Sequence, residues 1–498
     1  MAVVLAIDAG TTGIRSIAVD EHGRPRHAAY REFPQHFPEP GRVEHDADDI
    51  WDATRTTLAE VVDSVQRDGE TVTAIGITNQ RETVVVWDRA TGRPRHRAIV
   101  WQDRRTAARC DELRAAGHEP LIRRVTGLVL DPYFSATKLE WLLHGGGVES
   151  DRGLAFGTVD SWILWQLTGG PQGGVHATDP SNASRTMLFD IDALQWSSEL
   201  LDVFGVPASC LPAVMPTSGV FGFTDPARAA GLRVPVAGIA GDQQAALFGQ
   251  ACFEPGMTKN TYGTGSFVLV NLGPTHPAPA EGLLTSVGWT LGAETTYVME
   301  GSVFVTGAAI QWLRDGLGII ADAAETGPLA SSVPDAGGVV FVPAFAGLGS
   351  PWWDPYARGT IVGITRGTTK AHLARAVVEA MAWQTRDVVD AITEASGRPI
   401  AELRADGGAS VMDVLCQFQA DVLGVPVRRP RVQQTTALGA AFLAGLATGV
   451  WGTPADAAAG WTAEAEFTPS APAEDVARGY AEWRRAVERA RGWAVDRG

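Results

Sequence analysis

The chain has 498 residues, of which 45% are apolar and 20% charged, and 41 Lys+Arg stand against 57 Asp+Glu for a formal net charge of −16. This composition excludes a disordered chain, a collagen-like fibre and a disulfide-stapled miniprotein, and leaves room for roughly two to four domains of ~150 residues. So acidic a protein is a poor partner for nucleic acid or an anionic membrane, so any phosphate it takes must be held by local groups such as backbone amides, a metal or one placed arginine.

The opening reads as a β-meander. Val3 to Ile7 is a short apolar strand, Asp8-Ala-Gly-Thr-Thr-Gly13 a Gly/Thr turn, and Arg15 to Val19 a second strand closed by Glu21-His-Gly23. Ala74 to Thr78 and Thr83 to Trp87 are further strands, separated by Asn79-Gln-Arg-Glu82. Helical periodicity marks Ile50 to Val65 and Lys138 to His144. The second half restarts the theme: Val234 to Ala240 is an apolar strand ending in Gly241-Asp242, followed by a helix from Gln243 to Gly249. The loop Asn260-Thr-Tyr-Gly-Thr-Gly265 and the strand Phe267 to Asn271 come next, then a long amphipathic helix, His372 to Ile392. Arg404 to Ala409 delivers Asp406-Gly-Gly408 at a strand end, and the tail beyond about 470 reads as an amphipathic closing helix. A strand ending in Asp/Gly/Thr early in each half predicts two similar α/β domains meeting at a cleft, with the join near residue 250.

Cys110, Cys210, Cys252 and Cys416 form no CxxC pair, which argues against a zinc knuckle or redox couple and for a reducing compartment. The N-terminal apolar run lacks a basic flank and stops at Asp8, so it is not read as a signal peptide. Ala437 to Gly452 is too short for the ~20 residues of a membrane span, so a cytoplasmic protein is expected.

The chemistry lies in three loops. In Asp8–Gly13, glycines let backbone amides turn toward phosphate oxygens, threonine hydroxyls add donors, and Asp8 can organise a hydrated Mg²⁺; the same residues also make an ordinary hairpin turn. The stretch is neither a Walker loop nor GxGxxG. Tyr262-Gly-Thr-Gly-Ser266 and Asp406-Gly-Gly-Ala409 repeat the makeup. One such loop is a weak signal. Three in this order resemble the two phosphate loops and the adenosine loop of the sugar kinase/Hsp70/actin superfamily, where nucleotide lies between two RNase-H-like domains.

Further segments resemble the glycerol kinase branch of the FGGY carbohydrate kinase family: Ile77-Thr-Asn-Gln-Arg-Glu82, Ile99-Val-Trp-Gln-Asp-Arg-Arg105, Asp131-Pro-Tyr-Phe-Ser135, Asn182-Ala-Ser-Arg-Thr-Met-Leu188, Gly241-Asp-Gln-Gln-Ala-Ala-Leu-Phe-Gly249 and Trp353-Asp-Pro-Tyr-Ala-Arg-Gly359. The resemblance implies residues 1–250 as an N-terminal domain with the polyol site and first phosphate loop, and 251–498 as a C-terminal domain with the second phosphate loop and adenosine site. It implies Mg²⁺-ATP-dependent phosphorylation of glycerol to sn-glycerol 3-phosphate by a homo-oligomer, dimer or tetramer.

Residue by residue, the resemblance implies that Arg81 donates to glycerol oxygens, Glu82 accepts from a hydroxyl, Tyr133 adds a phenolic contact, and Trp101 and Phe267 wall the carbon backbone. Asp242 and Gln243 face the reacting hydroxyl, with Asp242 as general base. Thr11, Thr12, Gly13, Arg15 and Thr264 contact the β- and γ-phosphates, Gly307, Gln311 and Gly408 line ribose and adenine, and Asp8 serves the metal. Each residue has a plainer reading: Arg81–Glu82 as a solvated ion pair, Trp101 and Phe267 as core, Tyr133 as a loop residue, Arg15 as a surface arginine, and Asp242 as the N-cap of the following helix.

The chain departs from the family pattern at Gly13, where many members carry serine, and at Met412, where an adenine-contacting asparagine is common. Residues 224–233 lack the Gly-Lys-Gly-Gly stretch that binds fructose bisphosphate in some bacterial members, and Gly219–Gly222 has no phosphorylatable histidine, so neither mode of control is expected. Two rivals remain: an FGGY kinase for a pentulose or tetritol, and an actin/Hsp70-like switch ATPase. The Asn79–Glu82 segment and Tyr133 favour the glycerol branch, and the absence of an appended peptide-binding domain opposes the switch.

Overall fold

The computed structural model describes residues 1–494. Its centre is a thirteen-stranded sheet. In chain order the strands are β1 (Ala2–Ala9), β2 (Gly13–Asp20), β3 (Pro25–Glu32), β4 (Thr71–Asn79), β5 (Ser218–Phe223), β6 (Pro235–Gly241), β7 (Met257–Tyr262), β8 (Ser266–Gly273), β9 (Leu284–Leu291), β10 (Glu294–Val303), β11 (Glu402–Asp406), β12 (Val427–Pro430) and β13 (Ala463–Phe467). Across the sheet they run β13-β12-β11-β7-β8-β10-β9-β5-β6-β4-β1-β2-β3.

Each half repeats one design. β1, β2 and β3 form an antiparallel meander, and β4 then β6 add in parallel beside β1. Likewise β7, β8 and β10 pair antiparallel, and β11 then β12 add in parallel beside β7. Between the halves β5 meets β9 through one pair, Ser218 with Leu291. This repeat bears out the two-domain α/β reading.

The register explains where the loops collect. Ala9, Asn79 and Gly241 lie side by side at the carboxyl ends of β1, β4 and β6. Thr261 and Asp406 do the same at the ends of β7 and β11. Open parallel strands present ligand-binding loops at this edge, so residues 8–13, 79–82 and 241–243 gather in one half and 262–266 and 406–408 in the other.

Helices cover both faces because successive β1 side chains alternate. Val3, Leu5 and Ile7 pack with α1 (Ala47–Arg67). That helix is wider than the expected Ile50–Val65, because Asp46 caps it by accepting the Asp48 amide and Asp48 and Asp49 complement its dipole. Val4 and Ala6 pack instead with α5 (Thr435–Ala447), a helix from the second half of the chain. The expected 372–392 helix is α3 (Lys370–Ser396), started by a capping box between Thr369 and His372 and closed by left-handed Gly397. α4 (Asp413–Leu423) follows the third loop, and α6 (Ala473–Ala490) is the expected closing helix. The four cysteines are free and buried.

Two local expectations are corrected. The segment predicted as a strand over Thr83–Trp87 forms a strand over Val85–Asp88, paired with Leu154–Gly157 outside the main sheet, while Val84 makes an isolated bridge to Ile99. Glu82, at φ 63°, turns the chain away from β4 before that strand begins. The helix after β6, α2 (Asp242–Gly249), starts one residue earlier than predicted; Gly241 is its N-cap, so Asp242 is not.

α5 crosses α2 and the first-half sheet at glycines. A Cβ at Gly439 would fall inside the van der Waals surface of the Ala245 carbonyl, and one at Gly238 would lie 2.5 Å from the Ala444 nitrogen. Replacing glycine by alanine inside a helix ordinarily stabilises by up to about 1 kcal/mol. At Gly439 the sign reverses: Gly439→Ala is expected to lower the urea-unfolding free energy by about 1–3 kcal/mol through overpacking, and a gain would disprove this close crossing.

Candidate active site

At the end of β4 the left-handed turn at Glu82 folds two charged side chains inward. Arg81 and Glu82 are only 2% exposed, so the solvated-pair reading is wrong, and their mutual contact is a loose 3.8 Å. The strong partners come from elsewhere. Arg81 Nη1 donates to Glu300 Oε2 at 2.6 Å and Nη2 to Glu300 Oε1 at 3.2 Å, a bidentate pair reaching from the first half to β10. Arg185 Nε donates to Glu82 Oε1 at 2.6 Å and Arg185 Nη2 to Glu300 Oε1 at 3.3 Å. Two cations and two anions therefore interlock by direct contact in the buried interior.

Asp242 stands at the open side of this lattice. Arg81 Nε lies 3.2 Å from its Oδ1, and its side chain keeps 29% exposure. The carboxylate also accepts the backbone amide of Gln243 at 2.7 Å. Burial raises its pKa, and Arg81 and Lys259 pull against that shift. Gly241 allows the approach, since a Cβ there would sit 2.7 Å from Arg81 Cγ.

Around this centre the aromatic residues form a wall. The Trp101 ring meets Tyr133 edge-on at 5.6 Å and Phe267 at 6.4 Å, while Arg185 lies over the Tyr133 ring. The Tyr133 hydroxyl is 3.5 Å from Arg81 Nη2. Trp101 and Phe267 are only partly buried, so neither is plain core. The hydrogen bond and ion pairs of the Glu82 carboxylate engage Oε1; among the described residues none donates to Oε2. The arrangement thus offers one uncommitted carboxylate oxygen, a phenol and an open aspartate around an aromatic wall, which suits a small polyhydroxy compound.

The first loop joins this site directly. Gly10 and Gly13 close a tight turn (Gly10 N to Gly13 O, 3.0 Å), so the hairpin reading of 8–13 is also correct, and Trp101 Nε1 donates to Thr11 Oγ1 at 3.0 Å. Thr12 is exposed and Gly13 buried. Asp8 lies at the end of β1 with its pKa raised to about 7, first by burial and then by Asp242, with Arg15 opposing.

The remaining predicted residues lie in the second half. Thr264 is exposed in its loop, and Gly307 packs against that loop through Gly307 N to Gly263 O at 3.0 Å. Gly407 packs on the Tyr262 backbone and leaves Gly408 exposed beside it; Gln311 is exposed at the end of the short helix Gly307–Gln311. Met412 is buried against Gly327, an apolar contact. Lys259 on β7 donates to Gln243 Oε1 and, at 2.9 Å, to Thr261 Oγ1. Its pKa is lowered to about 8 by burial, with Asp406 and Asp242 opposing.

Sequence reasoning missed Glu300, Lys259 and any role for Arg185. Each carried a signal: a lone charge inside an otherwise buried strand or helical turn, which must be paired. Glu300 shows the consequence, since the two arginines hold its pKa down at about 2 against the effect of burial. Its stabilising contribution is therefore complete above its ordinary value of 4.5 and is lost as pH falls toward about 2. Glu300→Gln is expected to cost about 3–5 kcal/mol at neutral pH and to flatten the acid side of the stability–pH curve, as read by urea unfolding. An unchanged curve would remove Glu300 from the lattice.

Residues 3–249 match the N-terminal domain, and residues 258–448 the C-terminal domain, of the FGGY family of carbohydrate kinases. A glycerol kinase of Trichlorobacter lovleyi is 55% identical, with 99% of this chain and 100% of that protein covered. Among solved structures, Plasmodium falciparum glycerol kinase with ADP superposes with a TM-score of 0.92 at 33% identity, covering 98% of each chain. A xylulose kinase from Rhodospirillum rubrum superposes with 0.86 at 26% identity, covering 97% of this chain and 98% of the other. Sequence and fold likeness thus extend over nearly the whole chain, and the chain belongs to the FGGY family of carbohydrate kinases.

Proposed function

We propose that the protein transfers the γ-phosphoryl group of ATP to a terminal hydroxyl of glycerol, giving sn-glycerol 3-phosphate and ADP. The observation that carries this reading is Asp242, open to the cleft and held 3.2 Å from Arg81 Nε at the mouth of the buried lattice. The likeness to glycerol kinases over nearly the whole chain supports the substrate.

In this reading Arg81 is immobilised by Glu300 so that it meets the substrate oxygens in one orientation, and Glu82 Oε2 accepts from a second hydroxyl. Tyr133 and Gln243 complete the polar contacts, and Trp101 and Phe267 wall the carbon chain. Pairing of each hydroxyl favours the triol over analogues that leave a buried group unsatisfied. Asp242 aligns the attacking hydroxyl and accepts its proton late, which suffices for a loose phosphoryl-transfer transition state.

On the nucleotide side, Thr11, Thr12, Gly13 and Arg15 hold the β- and γ-phosphates from the first loop and Thr264 from the second, while Gly307, Gln311 and Gly408 line the nucleoside. The residues present also fit Mg²⁺. Asp242 raises the proton affinity of Asp8, and Thr78, beside Asp8 in the register, has a buried hydroxyl without a partner among the described residues. Asp8 would hold the ion. Mg²⁺ favours one or two carboxylates plus phosphates and water, and when bound supplies charge neutralisation between the phosphates.

The same reading divides the chain at 1–250 and 251–498 and makes it a cytoplasmic homo-oligomer, dimer or tetramer. No helix among the described residues is long and apolar enough to cross a membrane.

ADP release across a polyol and ketose panel tests the reading. Glycerol is expected to lead by at least about tenfold in kcat/KM, or about 1.4 kcal/mol, and Asp242→Asn to lose nearly all turnover while still binding ATP. A pentulose turned over faster than glycerol would overturn the substrate. Because Asp242 must be ionised and its pKa is raised from 3.8, kcat/KM should fall on acidification with its midpoint above that value. A midpoint at or below it would argue for a different proton acceptor.

A further inference from the structure

Three residues of the first meander stand in one row. Asp8 on β1 lies opposite Arg15 on β2, and Arg15 lies opposite Tyr30 on β3. Residues directly opposite in a sheet share a face, so the three side chains stand side by side on the face that carries Val4, Ala6, Ile17 and α5. The first two border the phosphate loop. The third is an aromatic residue, 42% exposed, with no motif around it.

Tyr30 is held against that loop from two sides. The Arg15 guanidinium lies over its ring, 5.3 Å from the centroid. Its hydroxyl lies 3.5 Å from Thr12 Oγ1. Gly13 makes room for it: a Cβ at position 13 would come within 2.6 Å of both the Tyr30 hydroxyl and the Arg31 carbonyl. Gly13 has no left-handed backbone to explain it, since it is absent from the positive-φ glycines. A side chain at position 13 would meet both the phenol and the Arg31 carbonyl, and glycine leaves room for both.

We infer that Tyr30 is a nucleotide-binding residue of the first phosphate loop, its hydroxyl donating to the terminal phosphates of ATP beside the Thr12 and Gly13 amides. This rests on the reading of residues 11–15 as the phosphate loop. A phenol suits the place: it donates to an anion without adding charge, and a cation under its ring polarises the O–H. Its only side-chain partner among the described residues is Thr12, at a length that leaves the proton free for a better acceptor.

Tyr30→Phe removes the hydroxyl and keeps the ring on Arg15. Calorimetric titration with a non-hydrolysable ATP analogue and with AMP separates the possibilities. The expected result is a roughly five- to tenfold weaker Kd for the analogue, an unchanged Kd for AMP, and an unchanged KM for glycerol. Equal losses for both nucleotides would mean that Tyr30 only supports the loop, and no loss for either would mean that its hydroxyl is idle; both outcomes overturn the inference. As a second variant, Tyr30→Gln keeps a donor and should recover part of the affinity for the analogue, whereas no recovery beyond Tyr30→Phe counts against donation. If the unaltered protein binds the analogue but ignores glycerol, the substrate reading fails and the role of Tyr30 does not.

Discussion

The structure turns on a buried exchange of charge between its two halves. Arg81 and Glu82 follow the end of β4 in the first half of the sheet, Arg185 lies in a turn nearby, and Glu300 sits on β10 in the second half. Removing any one would strand an opposite charge where water cannot reach it. Interlocked pairs of this kind add little stability over apolar packing, but they specify one arrangement of the groups. Here the arrangement aims Arg81 Nε at Asp242 and leaves one oxygen of Glu82 uncommitted. Lys259 extends the same logic by reaching from β7 to Gln243.

Close backbone approach is what makes room for that lattice. Glu82 sits in a left-handed conformation that costs a non-glycine residue on the order of 1–3 kcal/mol, and it persists because Arg185 holds the side chain and Ser135 the carbonyl. Gly241 lets the Arg81 stem pass over the end of β6. On the other side of the sheet, α5 returns from late in the chain to seat its glycine on α2, the helix that begins with Asp242. Position of the proposed base is thus tied to packing around Gly439, far from the chemistry.

Strand register does comparable work for the phosphate side. Because β1, β2 and β3 pair without offset over their loop ends, Asp8, Arg15 and Tyr30 form a transverse row of carboxylate, guanidinium and phenol. Such a row has no sequence spacing to betray it. The residues are seven and fifteen positions apart, joined only by hydrogen bonds between strands.

Local chemistry was written in the sequence. Gly/Thr-rich strand ends, the apolar strands, the amphipathic stripes of α1 and α3 and the repeat of one motif in each half follow from backbone sterics and side-chain periodicity, which act over a few residues. From these came the α/β class and the doubled domain, while the site roles expected of Asp8, Arg81, Asp242 and Thr264 came from the family resemblance. What needed the folded chain was every relation between distant residues: that Arg81 pairs with Glu300 rather than Glu82, that Gly241 rather than Asp242 caps α2, and that Gly13 yields its space to Tyr30. Partner choice among buried charges depends on through-space distance and exclusion of water, and a linear order of residues records neither.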